Sequence, residues 1–364
     1  MILILTAGFG DGHNTAARNV SEALSRLRPD MPNEVVDLFD LAHPLLAPAL
    51  KQGYQMLITR APSIWAGIYK KAATADFDSG PDILIALRRA LGEVLKRTRP
   101  SAIICTYPIY PKLIRELADQ GFPTAPVYTV ITDSISIHPI WMVSPSDGYF
   151  VADADSRKSA ISVGAQADLI HTSGFPVSLD FMNPVDPADA TTPHGQILYL
   201  PSTNARHFAQ TLEALRPLIA SGVKLTLPVG KHASRLYLYI TRYIDSLPGA
   251  NIEIIGWTNR IPHLLQTHDL VICKAGGAIL HEALAATCPA IIDYVVPGQE
   301  EGNAELLTHH GCGITTKTPQ ETGEQAARFL ADDRKVAKNM KRNMQKLSEP
   351  DAALKIAQHV LDTL

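Results

Sequence analysis

Short apolar segments alternate with longer segments of helical periodicity along the whole chain. Apolar runs of four or five residues are typical of strands buried in a parallel sheet, and the periodic segments are typical of the helices that connect such strands. The predicted strands cover residues 2–5, 35–38, 102–105, 127–131, 148–151 and 168–171 in the first half, and 197–200, 224–228, 252–255, 270–273 and 290–293 in the second. The pattern predicts an α/β protein with two halves of similar architecture.

A stretch rich in proline and polar residues, 175–195, separates the two halves. Such a composition is typical of an interdomain linker, so we predict one domain over residues 1–174 and a second over residues 175–348. Residues 349–364 have the periodicity of an amphipathic helix, with apolar positions at Ala353, Ile356, Ala357, Val360 and Leu361. This last helix is a candidate for packing back on the first domain.

The composition agrees with an ordered globular protein, since 46% of the 364 residues are hydrophobic, 19% are charged and the net charge is -3. That length favours two domains, and the charge balance argues against a general nucleic-acid-binding protein. The four cysteines form no Cys-x-x-Cys pair, so we expect reduced thiols, as in the cytosol. Because no apolar run is long enough to span a bilayer and the chain opens on a predicted strand, we expect a membrane substrate to be reached from the surface.

The most informative segment follows the predicted strand at 270–273. There the chain runs Lys274-Ala275-Gly276-Gly277 into a helix that carries Glu282. Glycines at a helix N-terminus let backbone N–H groups approach an anion closely, so the segment suits a diphosphate. Glu282 lies one helical turn after Ala278, where a carboxylate can accept hydrogen bonds from both hydroxyls of a ribose. An ordinary tight turn between strand and helix fits the same residues.

Three further polar loops are predicted at the same edge of the second sheet. They are Val229-Gly230-Lys231-His232, Gly256-Trp257-Thr258-Asn259 and Pro297-Gly298-Gln299-Glu300. Ligands of open α/β sheets bind at the carboxyl ends of the strands, so this convergence favours a ligand site over an ordinary turn.

These segments resemble the donor-binding domain of the monogalactosyldiacylglycerol synthase and processive diglucosyl-diacylglycerol synthase family, within glycosyltransferase family 28. They resemble more distantly the UDP-GlcNAc transferase of peptidoglycan synthesis. The likeness covers nearly the whole chain and is sharpest at Lys274-Ala275-Gly276-Gly277, Glu282-Ala283-Leu284 and Pro297-Gly298-Gln299-Glu300. One departure is Cys288-Pro289, where relatives have Leu-Pro. The resemblance implies the GT-B fold, in which two facing Rossmann-like domains enclose an interdomain cleft.

The resemblance also implies which residues bind a UDP-sugar donor. Gly276, Gly277 and Ala278 would hold the diphosphate, and Glu282 the ribose. The backbone near Trp257 would bind the uracil. The complete set implied for the donor is Gly230, Lys231, Trp257, Ala275, Gly276, Gly277, Ala278, Glu282, Gln299, Glu300 and Asn303, with Gln299 and Glu300 on the hexose hydroxyls and Gly230, Lys231 and Asn303 on the phosphate side.

The first predicted strand leads into a glycine-rich turn that ends Gly10-Asp11-Gly12-His13. A dinucleotide-binding turn has a third glycine where this chain has His13, although an acidic residue, Asp37, does stand at the end of the second predicted strand. The turn therefore suits an acceptor hydroxyl better than a pyrophosphate, and Gly10 and Gly12 are its candidate acceptor-binding residues. The resembled family also has a glycine-rich turn that ends in histidine at this point.

An inverting transfer needs a base for the acceptor hydroxyl. His13 is the candidate base, although a histidine here could instead cap the helix or contact a phosphate. Asp133 ends another predicted strand and could orient His13 or take the proton itself. Its alternative role is that of a capping residue.

We expect no metal ion and no other cofactor, on the premise that neither Asp133 nor any other strand end supplies an Asp-x-Asp pair for a divalent metal. The charge of the departing UDP would then be stabilised by the helix dipole and Lys231. His309, His310 and Cys312 lie close together in sequence and could be read as the ligands of a metal ion. We prefer the interpretation that they cap a helix.

Residues 43–77 form an unusually long segment for this place in the fold. They combine apolar side chains and interfacial aromatics, such as Trp65, with lysine and arginine, which is the mixture of a peripheral membrane contact. Helices that merely pack on their own domain would look similar. Trp141 lies in a segment, His138-Pro139-Ile140-Trp141, that resembles the acceptor site of the family, although it could equally be a core residue.

The sequence as a whole predicts an inverting glycosyltransferase that moves galactose or glucose from a UDP-sugar to a lipid, with diacylglycerol as the expected acceptor. We expect it at the cytoplasmic surface of a membrane, bound peripherally through anionic lipids. The alternatives are a UDP-sugar 2-epimerase of GT-B fold, a UDP-GlcNAc transferase acting on a polyprenyl-linked or other acceptor, and a non-catalytic nucleotide-sugar sensor. Dependence of activity on a lipid surface separates the first of these from the prediction.

Overall fold

The structure, a computed structural model, describes residues 1–61, 63–64, 67–68, 82–183, 185, 194–201, 205–230, 233–298 and 300–364. The chain divides into two compact units. The first comprises Met1–Leu179, Pro297–Gly302 and Glu349–Leu364, and the second comprises Asp180–Val296 and Asn303–Ser348. The division differs from the sequence-based boundaries at two places, because residues 175–179 and 297–302 group with the first unit.

The first unit is a parallel sheet covered by helices. Its strands are β1 (Ile2–Thr6), β2 (Asn33–Asp37), β3 (Ala102–Cys105), β4 (Val127–Val130), β5 (Gly148–Val151) and β6 (Ile170–Thr172). The strand order is β2-β1-β3-β4-β5-β6, and every neighbouring pair is parallel. Its helices up to the linker are α1 (Asp11–Leu27), α2 (Leu38–Ala42), α3 (Ala47–Arg60), α4 (Asp82–Thr98), α5 (Tyr110–Asp119) and α6 (Ala154–Ser162).

Both faces of this sheet are buried, which explains why its strands read as continuous apolar runs. Successive side chains of a strand point to opposite faces. Leu3 and Leu5 accordingly belong to one hydrophobic cluster, and Ile2 and Ile4 to another on the opposite face. All four are at most 1% exposed. The sheet is therefore a two-sided core with its loops at the strand ends.

The second unit repeats this architecture. Its strands are β7 (Gln196–Tyr199), β8 (Lys224–Pro228), β9 (Ile252–Ile255), β10 (Leu270–Lys274), β11 (Ala290–Tyr294) and β12 (Gly313–Thr315), and its helices are α7 (Ala205–Ala220), α8 (Ala233–Asp245), α9 (Ile261–Thr267), α10 (Gly277–Ala285), α11 (Glu301–His309), α12 (Pro319–Leu330) and α13 (Lys335–Met344). The strand order is β12-β11-β10-β7-β8-β9, again all parallel. The order reverses between β10 and β7, so the loops after these two strands flank the place where such sheets bind ligands.

The last helix, α14 (Ala352–Asp362), packs in the first unit against α1. Its Ile356 and Val360 are fully buried in the cluster that contains Val20 and Leu24 of α1. The Tyr128 hydroxyl and the Thr363 hydroxyl, 2.7 Å apart, add a polar contact between β4 and the end of the chain.

Within the part of the chain that the structure describes, no helix is both long and apolar enough to cross a membrane. The four cysteines, Cys105, Cys273, Cys288 and Cys312, are buried and form no disulfide.

Candidate active site

His13 lies in the first turn of α1, immediately after the glycine-rich turn. Its ring Nδ1 is 3.0 Å from the Thr132 hydroxyl, which follows β4. The imidazole and the Tyr107 ring are nearly perpendicular, with their centroids 5.2 Å apart. Two loops at the carboxyl edge of the first sheet therefore hold the ring from different sides.

Asp133 follows Thr132 and stands beside His13. Its Oδ2 accepts a hydrogen bond of 2.7 Å from the indole Nε1 of Trp141, which lies in the short 3-10 helix Pro139–Met142. Trp141 is 2% exposed and belongs to a hydrophobic cluster. The indole thus fixes the orientation of the carboxylate from within the core, and the predicted contact of Trp141 with an acceptor stays a prediction.

The electrostatics of His13 and Asp133 are mutually dependent. Burial lowers the pKa of His13, while the charge of Asp133 raises it. Burial also raises the pKa of Asp133, against the lowering effects of the Trp141 hydrogen bond and of His13. A neutral imidazole is the form that accepts a proton, so burial favours the state that a general base requires.

The glycine-rich turn before α1 is anchored at one end and open at the other. The Gly8 N–H donates to Asp37 Oδ2 over 2.9 Å, and the Lys51 ammonium lies 2.9 Å from the same oxygen. A Cβ at Gly8 would lie 2.8 Å from the Lys51 nitrogen, whereas a Cβ at Gly10 or Gly12 would meet no atom within 4 Å. Asp37 is therefore engaged inside the protein, and free space lies at the two glycines predicted to bind the acceptor.

The donor segment of the second unit begins with an irregularity. Cys273 pairs with Ile292 but Lys274 pairs with Tyr294, so Asp293 is the extra residue of a β-bulge between β10 and β11. The Ala275 N–H then donates to the Tyr294 carbonyl over 2.8 Å. Bulges bend a strand and re-aim side chains next to functional sites. This one fixes the backbone where the chain enters the loop before α10.

Helix α10 has an N-terminus suited to an anion. Its N-cap is Gly276, which has no side chain to cap the amides of the first turn. No acidic residue lies in that first turn either. Gly277 and Ala278 open the helix and Glu282 follows one turn later, half-buried. The predicted donor residues of this segment are thus brought together on one helix end.

The neighbouring helix α11 supports the same loop. The Asn303 amide donates to the Ala275 carbonyl over 3.2 Å, and Asn303 is 8% exposed. Asn303, predicted on the phosphate side, therefore holds the donor loop directly. Glu300 is 7% exposed in the first unit. Gln299 lies outside the described residues.

Two other predicted donor residues lie at the ends of neighbouring strands. Gly230 follows β8 with a φ of +49° and open space around a hypothetical Cβ. Trp257 follows β9 and is 83% exposed, so its indole and backbone are accessible to a ligand. Lys231 lies outside the described residues.

An Asp-x-Asp pair does follow a strand, so the premise that no strand end supplies one is wrong. Asp153 and Asp155 come directly after β5. Asp153 caps α6, because its carboxylate accepts from the Asp155 and Ser156 amides and from the Ser156 hydroxyl. Asp155 forms an ion pair of 2.7 Å with Lys158. Both carboxylates thus have partners within the protein.

The segment predicted to contact a membrane exposes several large apolar side chains before, in and after α3. Leu45 is 92% exposed, the largest fraction among the apolar residues of this segment that the structure describes. The others are Leu46, Leu50, Met56, Ile64 and Ile68, each at least 41% exposed. Ile58 is instead buried, and Lys51 pairs with Asp37 and Asp40. Trp65 and residues 69–77 lie outside the described residues.

The sequence did not predict three of the contacts that the structure shows in these two sites. Thr132 and Tyr107 hold His13, and each follows a predicted strand, which was the available signal. The third is the approach of His207, in the first turn of α7, to Asp293, with 3.1 Å between Nε2 and Oδ2. No local pattern signals a contact between residues so far apart in sequence.

Two family models match the chain. Residues 13–177 match the one described as monogalactosyldiacylglycerol (MGDG) synthase, and residues 202–360 match the glycosyltransferase family 28 C-terminal domain. A curated relative, the processive diacylglycerol beta-glucosyltransferase of Bacillus cereus (strain 03BB102), is 28% identical over 377 residues. That alignment covers all of this chain and 92% of the relative.

Solved structures share the fold. HepE of Anabaena in complex with UDP-glucose has 13% identity and a TM-score of 0.58, over 100% of this chain and 99% of that one. A putative UDP-N-acetylglucosamine 2-epimerase from Listeria monocytogenes has 14% identity and a TM-score of 0.63, over 98% and 94%. These likenesses confirm the predicted GT-B fold with its two Rossmann-like domains, but they do not separate a transferase from an epimerase. The two family models together span most of the chain, which therefore belongs to the monogalactosyldiacylglycerol synthase family within glycosyltransferase family 28.

Proposed function

We propose that the protein is an inverting glycosyltransferase that moves a hexose from a UDP-sugar to diacylglycerol. The observation that carries the proposal is the anion-ready N-terminus of α10, followed one turn later by Glu282, inside the part of the chain that matches the family 28 C-terminal domain. The curated relatives are named as diacylglycerol glucosyltransferases, which supports glucose as the hexose and diacylglycerol as the acceptor.

The second unit binds the diphosphate and the ribose of the donor in this proposal. The diphosphate accepts hydrogen bonds from the amides of Gly277 and Ala278, where the helix dipole is favourable. The Glu282 carboxylate accepts from the ribose hydroxyls. Gln299 and Glu300 bind the hexose, as the family resemblance implies.

The first unit supplies the acceptor chemistry. The primary hydroxyl of diacylglycerol attacks the anomeric carbon as the bond from that carbon to the UDP oxygen breaks, so the configuration inverts. His13 takes the hydroxyl proton, and Asp133 stabilises the imidazolium that forms. UDP leaves with the bonding electron pair.

The departing UDP carries negative charge that needs stabilisation. We propose that α10 and Lys231 supply it and that the enzyme needs no divalent metal. The carboxylates of Asp153 and Asp155 support this part of the proposal, because they are engaged in helix capping and in an ion pair.

Diacylglycerol lies in a membrane, so the enzyme must reach the bilayer surface. The exposed apolar side chains around α3, Leu45 and Leu50 among them, would enter the interface. Basic residues of the same segment would attract anionic lipids. We propose attachment at the cytoplasmic face, where UDP-sugars are available.

A donor and acceptor screen tests the proposal. UDP release is measured with UDP-glucose, UDP-galactose and UDP-GlcNAc, each with vesicles that contain or lack diacylglycerol. We expect release that depends on diacylglycerol, and a β-linked product by NMR from an α-linked donor. Release without lipid, or epimerised UDP-sugar without release, would overturn the proposal in favour of another member of the fold. Activity that persists in EDTA is expected, and loss that Mg²⁺ restores would refute the metal-free step.

A further inference from the structure

A buried polar cluster lies under the donor loop of the second unit. It consists of Tyr199 at the end of β7, Asp293 in β11 and His207 in the first turn of α7. The side chain of Asp293 is fully buried, and that of His207 is 17% exposed. Strand β10 separates β7 from β11, so Tyr199 and Asp293 flank the strand that leads into the donor loop.

The position of Asp293 follows from the β-bulge. Tyr199 pairs with Ile272 on one side of β10, and the bulge opposite Cys273 and Lys274 lies on the other. Asp293 is the residue that the bulge adds. Its Oδ2 lies 3.1 Å from His207 Nε2, so a carboxylate buried in the core contacts an imidazole that is partly exposed at the surface.

The remaining polar atoms of the cluster are not saturated. Asp293 Oδ1 and the Tyr199 hydroxyl are both buried without a hydrogen-bond partner of good geometry among the described residues. Burial and the nearby charge of Asp293 raise the pKa of Tyr199, so the hydroxyl stays protonated. A buried carboxylate that lacks full hydrogen bonding is costly, so the imidazole of His207 at 3.1 Å is an important partner for Asp293.

The same cluster lies at the topological switch point of the sheet. The chain leaves β7 for α7 and leaves β10 for α10, and these two strands are neighbours. The first turns of both helices therefore lie at the edge where a diphosphate binds in such folds. An acidic side chain at this edge would repel the diphosphate unless a cation or a donor offset it.

We infer that His207, held by Asp293, is a positioning residue for the diphosphate of the donor. The inference rests on the proposed function. The Asp293 carboxylate orients the imidazole, while the imidazole screens the carboxylate from the phosphates. His207 thereby fixes the start of α7 beside the donor loop and offsets the phosphate charge without a metal ion.

A ligand series separates this role from a general effect on folding. The affinities of UDP and of uridine are measured by calorimetry for the wild type, His207→Gln, Asp293→Asn and the double variant. We expect His207→Gln to weaken UDP binding by about tenfold or more, the usual value of a hydrogen bond to a charged group, and to change uridine binding less than twofold. The double variant should lose no more than His207→Gln alone, because the two residues act as a unit.

Matched controls make each outcome decisive. His309→Gln removes an exposed histidine of the same unit and should leave both affinities unchanged. An unaltered ratio of UDP to uridine affinity in His207→Gln would overturn the inference while the proposed function stands. Equal loss of both ligands would assign the cluster a structural role and would overturn it as well. A wild type that binds no UDP would instead refute the proposed function itself.

Discussion

Replacing Trp141 by phenylalanine tests how the pair of His13 and Asp133 is tuned. The indole Nε1 donates to Asp133 Oδ2 over 2.7 Å, and the side chain is almost completely buried. Phenylalanine keeps an aromatic ring in the same hydrophobic cluster but has no N–H group. The variant therefore removes one hydrogen bond with a modest change of volume.

The magnitude follows from the charge of the acceptor. A hydrogen bond to a charged group contributes about 1.5–3 kcal/mol. The Trp141 bond lowers the pKa of Asp133 against the effect of burial, so its loss raises that pKa further. A protonated Asp133 no longer stabilises the imidazolium that His13 becomes. If the transition state loses that stabilisation, kcat falls roughly 10- to 100-fold.

Two measurements check this expectation. The acidic limb of the profile of kcat/KM against pH should move to higher pH, because Asp133 needs less acid to become protonated in the variant. UDP affinity should stay unchanged, since the predicted donor residues of α10 belong to the second unit. Assays run well below the thermal transition of the variant. Normal turnover with an unshifted acidic limb would refute the reasoning, and an equal fall in UDP affinity would show that the damage is structural.

Four further predictions concern single residues. Glu282→Ala should weaken UDP binding by about 1–3 kcal/mol in calorimetry, because the ribose hydroxyls lose a charged acceptor, and an unchanged affinity would remove the assignment. His13→Ala should slow the chemical step by about 10² to 10⁴-fold and leave UDP affinity intact; near-normal turnover would pass the base role to Asp133. Leu45→Glu should reduce sedimentation with anionic vesicles, and binding indifferent to both this change and added salt would exclude the proposed membrane segment. Burial lowers the pKa of His268 from 6.5 to about 4. As the pH falls from 6.5 to 4, the unfolded chain therefore takes up a proton before the folded protein does, and roughly 3 kcal/mol of the free energy of unfolding is lost. In unfolding experiments His268→Gln should make the free energy of unfolding depend less on pH in this range, and an equally steep dependence would contradict the prediction.

Most strands of this fold could be predicted from the local pattern of apolar residues. Strands β3, β5, β8 and β9 occupy the predicted residues without a shift. Strand β12 was not predicted, because Gly313–Thr315 has only three residues and lies at the edge of its sheet. A strand so short carries no periodicity, and its pairing with β11 exists only once the rest of the sheet has formed.

The site was predictable where its residues lie close together in sequence. The donor loop and Glu282 share one strand, turn and helix, so their proximity follows from helical geometry. The approach of His207 to Asp293 depends instead on a register shift between β10 and β11, which no sequence pattern reveals. Trp141 illustrates the same limit, because an aromatic residue in a polar segment suits a core position and a ligand contact equally well. Only its burial and its bond to Asp133 show that it supports the carboxylate from the core.

The charges at two helix ends explain why the donor is assigned to the second unit. Both α1 and α10 follow a strand and a glycine-containing turn, so both offer amides and a helix dipole to an anion. Asp11 stands in the first turn of α1 and already offsets its dipole, whereas the first turn of α10 has no acidic residue. Asp37, the residue at which a dinucleotide fold would bind a ribose, is occupied by the Gly8 amide and Lys51. A diphosphate at α1 would meet negative charge, and the same group at α10 would meet none in that turn. The glycine-rich turn of the first unit is therefore left for a neutral hydroxyl, which is the group that a base such as His13 can use.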